Sequence, residues 1–255
     1  MAFITIGAHH IEYERIEVGL LQRPTLVFLH EGLGSLAMWR DFPHRLAHAT
    51  NCNAIVYSRY GYGNSDALAE HRPVRYMHEE ALVALPELLD RLCVDQPILV
   101  GHSDGASIAI IYAGGSGRHV AGLVLMAPHV LVEDISIESI AAAKIAYRNT
   151  DLREKLARYH ADVDSAFRGW NDIWLHPDFR SWNIEEYLSR ITCPLLAIQG
   201  NDDEYGTGEQ LARIERQVAD VDILELADCR HSPHRDQPAA VIEAATRFVD
   251  RVSSS

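Results

Sequence analysis

Short apolar runs recur along this chain at wide spacing: Thr25–His30, Ala54–Ser58, Ile98–Val100 led in by Pro97, Val120–Met126, Leu195–Gln199 and Asp222–Leu226. Most show no alternation of polar and apolar residues, which is how strands buried on both faces of a parallel sheet read. Helical periodicities fall between them. Met77, Ala81, Leu85, Leu88 and Leu92 step by three or four, with Pro86 expected to kink or strain that helix. Ile242, Ala245, Val249 and Val252 give the last helix one apolar face, and Thr207-x-x-Gln210 reads as a capping box opening another. Phe3–Gly19 is short and alternating, as expected of an antiparallel pair at a sheet edge. Strands alternating with helices predict a doubly wound α/β sheet. A chain of 255 residues with 47% hydrophobic side chains can fill one such domain.

One stretch breaks the rhythm. From about His129 to Arg190 there is no strand-like run, only helical patterns such as Ile135–Tyr147 and Leu152–Tyr159. Trp170, Trp174 and Trp182 all fall in it, and Phe167, Trp170 and Trp174 step by three and four onto one helix face. An inserted helical cap is the economical reading. That aromatic face can pack cap against sheet, line an apolar substrate pocket, or do both.

The formal net charge of −13, with no basic cluster, argues against nucleic acid and anionic membrane as partners. No run approaches the length of a membrane span, and Met1–Gly7 has neither the basic region nor the apolar core of a signal peptide. Cys52, Cys93, Cys193 and Cys229 are scattered with no C-x-x-C pair, which favours buried thiols over disulfides and a reducing, cytoplasmic setting. A small-molecule substrate is the expected partner, and association into a homo-oligomer is left open.

Chemistry concentrates at Gly101-His102-Ser103-Asp104-Gly105, directly after Pro97–Val100 and before an Ala/Ile-rich stretch through Ala113. G-x-S-x-G between a buried strand and a helix places a serine on a strained turn, its hydroxyl exposed at the helix N-terminus. A serine needs a base to take its proton and a carboxylate to orient that base. His231, just after Asp222–Leu226, is the candidate base and His234 its rival; H-x-x-H also suggests a metal pair, but no third ligand has convincing spacing. The acid falls in Gly200-Asn201-Asp202-Asp203-Glu204, where three adjacent carboxylates leave the assignment open. An oxyanion hole needs two backbone amides: that of Asp104, after the serine, and one from the loop His30–Ser35. A phosphate cradle is the weaker reading of that glycine-rich loop, which lacks both G-x-G-x-x-G and a Lys-Ser/Thr ending.

On these residues, together with Ser58-Arg59-Tyr60-Gly61-Tyr62-Gly63-Asn64-Ser65-Asp66 and His231-Ser-Pro-x-x-Asp-x-Pro238, the chain resembles an α/β-hydrolase with a short helical cap along nearly its whole length. The resemblance implies a mostly parallel central sheet with helices on both faces, a core of residues 1–128 and 191–255, and a cap of 129–190. It selects Asp203, third after the glycine, as the acid, His231 as the base and Gly32 as the second oxyanion donor. Two residues depart from the family pattern: Glu31 stands where a glycine usually follows the histidine, and Arg230 where one usually precedes the catalytic histidine. Glu31, Phe167, Trp170 and Trp174 are the pocket candidates, with Arg40, Arg59 and His30 as candidate partners for the Glu31 carboxylate. The implied activity is cofactor-free hydrolysis of a small or medium, partly apolar ester, thioester or lactone through an acyl-enzyme on Ser103. Hydrolysis of carbon–carbon bonds in ring-cleavage products, haloperoxidase-like perhydrolysis and a ligand-receptor role are the alternatives. Ser103 argues against epoxide hydrolases and haloalkane dehalogenases, which use an aspartate nucleophile.

Overall fold

The computed structural model describes residues 2–18 and 23–254; Met1, the Gly19 end of the predicted hairpin and Ser255 lie outside them. The strands are β1 (Ala2–Ile6), β2 (His9–Ile16), β3 (Thr25–Leu29), β4 (Ala54–Tyr57), β5 (Pro97–His102), β6 (Gly122–Met126), β7 (Leu195–Gly200) and β8 (Val221–Leu226). They form one sheet in the order β1-β2-β4-β3-β5-β6-β7-β8. β3 to β8 run parallel, while β1 and β2 are antiparallel to their neighbours.

The central strands are apolar throughout because both faces of the sheet are covered. Along β3, Leu26 and Phe28 face one core while Val27 and Leu29 face the other. The first core lies under α1 (Phe42–Thr50) and the C-terminal helix. The second is covered by α2 (Tyr76–Glu79), α3 (Leu85–Arg91) and α4 (Asp104–Gly115). The edge strand β8 is less covered, exposing Asp222 and Glu225. Pro86 acts as expected in an unexpected form. It has no N–H to give to the carbonyl four residues back, and a π-helical turn over Glu80–Ala84 falls immediately before it, joining α2 to α3 without a break.

Between β6 and β7 the chain runs through α5 (Asp134–Asn149), α6 (Leu152–Leu156), α7 (Val163–Trp174) and two 3₁₀ turns, Pro177–Ser181 and Glu185–Arg190. After β7 come α8 (Glu209–Gln217), β8, then α9 (Pro233–Asp236) and α10 (Pro238–Ser253). The capping box did not form. α8 starts after Gly208, the Thr207 amide donates to Glu133 rather than to Gln210, and the buried Gln210 side chain bonds the Val130 amide, the Leu131 carbonyl and the same Glu133. On α10 the buried face centres on Val241, Ala245, Phe248 and Val249, leaving the predicted Ile242 and Val252 at its margins. All four cysteines are free, Cys93 exposed and the others buried. No helix among the described residues is long and apolar enough to cross a membrane.

Candidate active site

Three parallel strands deliver the reactive side chains to one end of the sheet. β5 ends at His102, and Ser103 follows in a left-handed conformation (φ 53°, ψ −118°) before α4 begins at Asp104. A non-glycine residue there is strained and persists only where its surroundings fix it. Here the flanking glycines do. A Cβ on Gly101 would collide with the backbone of Ala106, and one on Gly105 with the carbonyl of Leu29 on the neighbouring strand.

Asp203 follows β7 and His231 follows β8. His231 Nε2 lies 3.0 Å from Ser103 Oγ, and its Nδ1 lies 2.8 Å from Asp203 Oδ1, an unbroken chain from carboxylate to hydroxyl. Asp203 also accepts the Tyr205 amide at 2.8 Å and the Gln199 side-chain amide at 3.3 Å. Burial works to raise its pKa, but the His231 ring and the Tyr205 amide overcome it and hold the carboxyl at about 2. Asp202 and Glu204 are exposed. His234, the rival base, is buried with its ring against Trp39, Phe42 and His102, and takes no part in the carboxylate–imidazole–hydroxyl chain. Among the described residues no three His, Cys, Asp or Glu side chains cluster to hold a metal ion.

The loop after β3 is held from beneath. The Arg59 amide donates to His30 Nε2 at 3.0 Å, which leaves His30 Nδ1–H to donate to the Glu31 carbonyl at 2.7 Å. Arg59 Nη2 donates to the same carbonyl at 2.9 Å. The Gly32 and Asp104 amides donate to no other described residue, as an oxyanion hole requires. Gly32 is also a matter of space, since a Cβ there would run into the Trp170 indole. The Asp104 side chain accepts Tyr76 Oη–H at 2.5 Å and Trp174 Nε1–H at 3.1 Å, with Arg59 3.9 Å away. Burial pushes its carboxyl upward against the pull of Arg59, Tyr76 and Trp174.

Ser103 and His231 open into a cavity of about 200 Å³ walled by Glu31, Gly32, Leu33, Ile140, Trp170, Trp174 and Tyr205 among others. Of the pocket candidates, Phe167 is not in that wall. It stacks on Tyr147 at 3.7 Å between ring centroids, on the side of α7 that packs against α5. Glu31 is in the wall, largely buried, but its carboxylate pairs with His102 and Arg235; Arg59 and His30 touch only its carbonyl. Burial works to raise Glu31, yet His102, then Arg235 and His234, hold it well below the usual carboxylate range. Arg230 is exposed, and its amide donates to Asp236.

Sequence reasoning missed two histidines of the wall. His102 lies inside the pentapeptide and bonds the His231 carbonyl at 2.7 Å. His129 packs edge-on against Trp174, and burial, aided by the nearby His231, lowers it to about 3, so its ring is neutral. The pairing of β3 with β5 sets Leu29 opposite Gly101, so His102 at the end of β5 comes beside the loop that starts at His30.

Residues 26–244 match the Alpha/beta hydrolase family. Among curated proteins, Epoxide hydrolase 2 of Siraitia grosvenorii is 30% identical over 138 residues, 53% of this chain and 42% of that protein, so the chain spans about two fifths of that relative's length. Among solved structures, proline iminopeptidase of Mycobacterium smegmatis superposes with a TM-score of 0.81 at 16% identity, covering 99% of this chain and 98% of that one. An esterase from Exiguobacterium antarcticum gives 0.76 at 19% identity, covering 97% and 98%.

Proposed function

Because this chain belongs to the alpha/beta hydrolase family, we propose that it is a serine hydrolase of small or medium, partly apolar esters, thioesters or lactones. The observation that carries the proposal is the Asp203–His231–Ser103 chain, at 2.8 and 3.0 Å, opening into the aromatic-walled cavity. His231 Nε2 takes the hydroxyl proton as Ser103 Oγ attacks the substrate carbonyl. The Gly32 and Asp104 amides hold the oxyanion, and Asp203 stabilises the imidazolium. His231 then gives its proton to the leaving oxygen or sulfur. The acyl-enzyme is opened by water, which His231 deprotonates in turn, releasing the acid and restoring the serine. Helices α5–α7 act as a cap over this chemistry, supplying Ile140, Trp170 and Trp174 to the apolar wall.

Charge narrows the choice. Among the described residues the wall carries Glu31 and Glu204 and neither Lys nor Arg. That disfavours anionic substrates, including the acidic products of aromatic ring cleavage. It also supports a second reading, cleavage of an N-terminal residue with a free amine, the kind of bond the iminopeptidase neighbours are named for. There the exposed Glu204 carboxylate would meet the ammonium group.

Fluorophosphonate labelling of wild type and Ser103→Ala, beside turnover of p-nitrophenyl esters of graded acyl length and of aminoacyl p-nitroanilides, tests both. We expect labelling and ester turnover in wild type alone, falling off as the acyl chain outgrows the cavity. Preferred turnover of the anilides would install the second reading. Labelling or turnover undiminished in Ser103→Ala would overturn both.

A further inference from the structure

The bond-making and bond-breaking steps proposed above do not use the Glu31 carboxylate, yet two basic side chains lie against it. One oxygen lies 3.4 Å from His102 Nδ1 and the other 3.5 Å from Arg235 Nη2. His102 Nε2 continues to the His231 carbonyl oxygen at 2.7 Å, and Arg235 also donates to the Met38 carbonyl at 3.0 Å. The carboxylate therefore lies against the base-bearing segment at two points: beside the His102 ring, whose other nitrogen bonds the His231 carbonyl, and at Arg235 in α9. Gly34 is the second sign that this placement is built. A Cβ there would run into the Glu31 carboxylate, while the Gly34 backbone is not in the left-handed region, so it is room that calls for glycine. Glu31 in turn precedes Gly32, whose amide faces the oxyanion.

We propose that Glu31 is a positioning residue that locks the segment 231–235 onto the loop carrying the Gly32 amide, so that one carboxylate sets the spacing between base and oxyanion donors. This rests on the serine-hydrolase reading of the site. Spacing of this kind matters because misplacement by about 1 Å can cost about 10²-fold in rate, and productive geometry is kept to about 0.5 Å. The departure of this sequence from glycine at position 31 becomes a structural link rather than an obstruction.

The test compares wild type, Glu31→Gln, Arg235→Met, their double variant and Gly34→Ala for ester turnover, fluorophosphonate labelling rate and melting temperature. Glu31→Gln keeps shape and removes charge. Arg235→Met keeps the stem of a side chain that is one-third exposed. Gly34→Ala displaces the carboxylate without removing it. We expect each single change to lower kcat by roughly 10- to 100-fold with KM within about threefold. The double variant should fall no more than about threefold below the worse single one, because both act through one linkage. A raised KM at unchanged kcat would make Glu31 a substrate-binding residue and overturn the proposal. Multiplying losses in the double variant, or wild-type kcat in the single ones, would also overturn it. Should Glu31→Gln fail to fold, Arg235→Met and Gly34→Ala decide alone. Undiminished labelling of Ser103→Ala would bring down the hydrolase reading itself. A dead Ser103→Ala beside wild-type-like Glu31 and Arg235 variants would bring down only the positioning role.

Discussion

Replacing Asp203 with Asn separates two roles that the carboxylate combines, orienting His231 and stabilising its positive charge. Which role is lost follows from the partners. An asparagine can keep its oxygen at the Oδ1 position, where it still accepts both the Tyr205 amide and His231 Nδ1–H, at 2.8 Å each. The new NH₂ group then meets only the longer contact to Gln199, at 3.3 Å, and Gln199 keeps its bond to the Gly206 carbonyl. The reverse orientation would set NH₂ against the Tyr205 amide and strand a buried donor, at about 1–3 kcal/mol. The amide therefore preserves the ring tautomer and removes charge alone. The distance from an ordinary aspartate at 3.8 to about 2 in the protein is worth about 2.4 kcal/mol at 1.36 kcal/mol per pH unit, or about 60-fold. The Tyr205 amide and His129 share in that lowering while burial opposes it, so about 60-fold is the order of magnitude of the charge contribution. We expect kcat for Asp203→Asn to fall roughly 10²-fold, well short of the about 10⁴-fold loss that accompanies a wrong tautomer. Steady-state ester hydrolysis at neutral pH measures it, with exposed Asp202→Asn as control, expected within about twofold. A loss under tenfold, or a larger loss in Asp202→Asn, would refute the assignment of the acid. A loss near 10⁴ would mean the amide flips and the hydrogen-bond count above is wrong.

Asp203 should also mark the acid limb of stability. Its pKa is depressed in the fold, so its contribution is fully present above the ordinary value near 4 and is lost as pH falls toward about 2. Urea unfolding at pH 5 and pH 2.5 should show wild type losing about 2 kcal/mol more than Asp203→Asn; equal losses would contradict it. Gly32→Ala should cost about 1–3 kcal/mol by overpacking against Trp170, with part of the loss recovered by adding Trp170→Leu, read by thermal unfolding. Trp174→Phe removes the Nε1–H donor to buried Asp104 and should cost about 1–3 kcal/mol, a melting temperature lower by about 2–4 °C per kcal/mol. An unchanged melting temperature would mean Asp104 does not depend on that bond.

The sheet was legible because burial on both faces leaves a strand no polar residues, and that signal is local. Pro86 announced a disturbance for the same reason, a missing donor. Its resolution into a π turn depended on the surrounding helix staying packed, which no window of sequence contains. Thr207 and Gln210 had the spacing of a capping box, but the Val130 amide and Glu133 offered Gln210 better partners from another part of the chain. Phe167 shares a helix with Trp170 and Trp174, and a stack with Tyr147 drew it off the cavity. Ser103 stood out because its strained turn requires nearby glycines. His102 and His129 carry no such mark, and the partners of Glu31 are contributed by β5 and α9, the second of them 204 residues away. What sequence missed were contacts between segments that only strand order brings together.

The bond from Trp174 to Asp104 has a consequence for how this enzyme can acquire new substrates. Asp104 adjoins the proposed nucleophile in the chain and carries one of the two proposed oxyanion amides, while Trp174 belongs to the wall of the cavity beside it. Recognition and reactivity are therefore not separate modules here. A lineage drifting toward a different acyl group by remodelling α7 would disturb the turn that presents the hydroxyl, whereas changes at Ile140 on α5 leave that bond intact. Libraries aimed at altered selectivity should begin at Ile140 rather than at Tyr205, whose ring packs on His231, and natural diversification of related chains should concentrate there before it reaches Trp174.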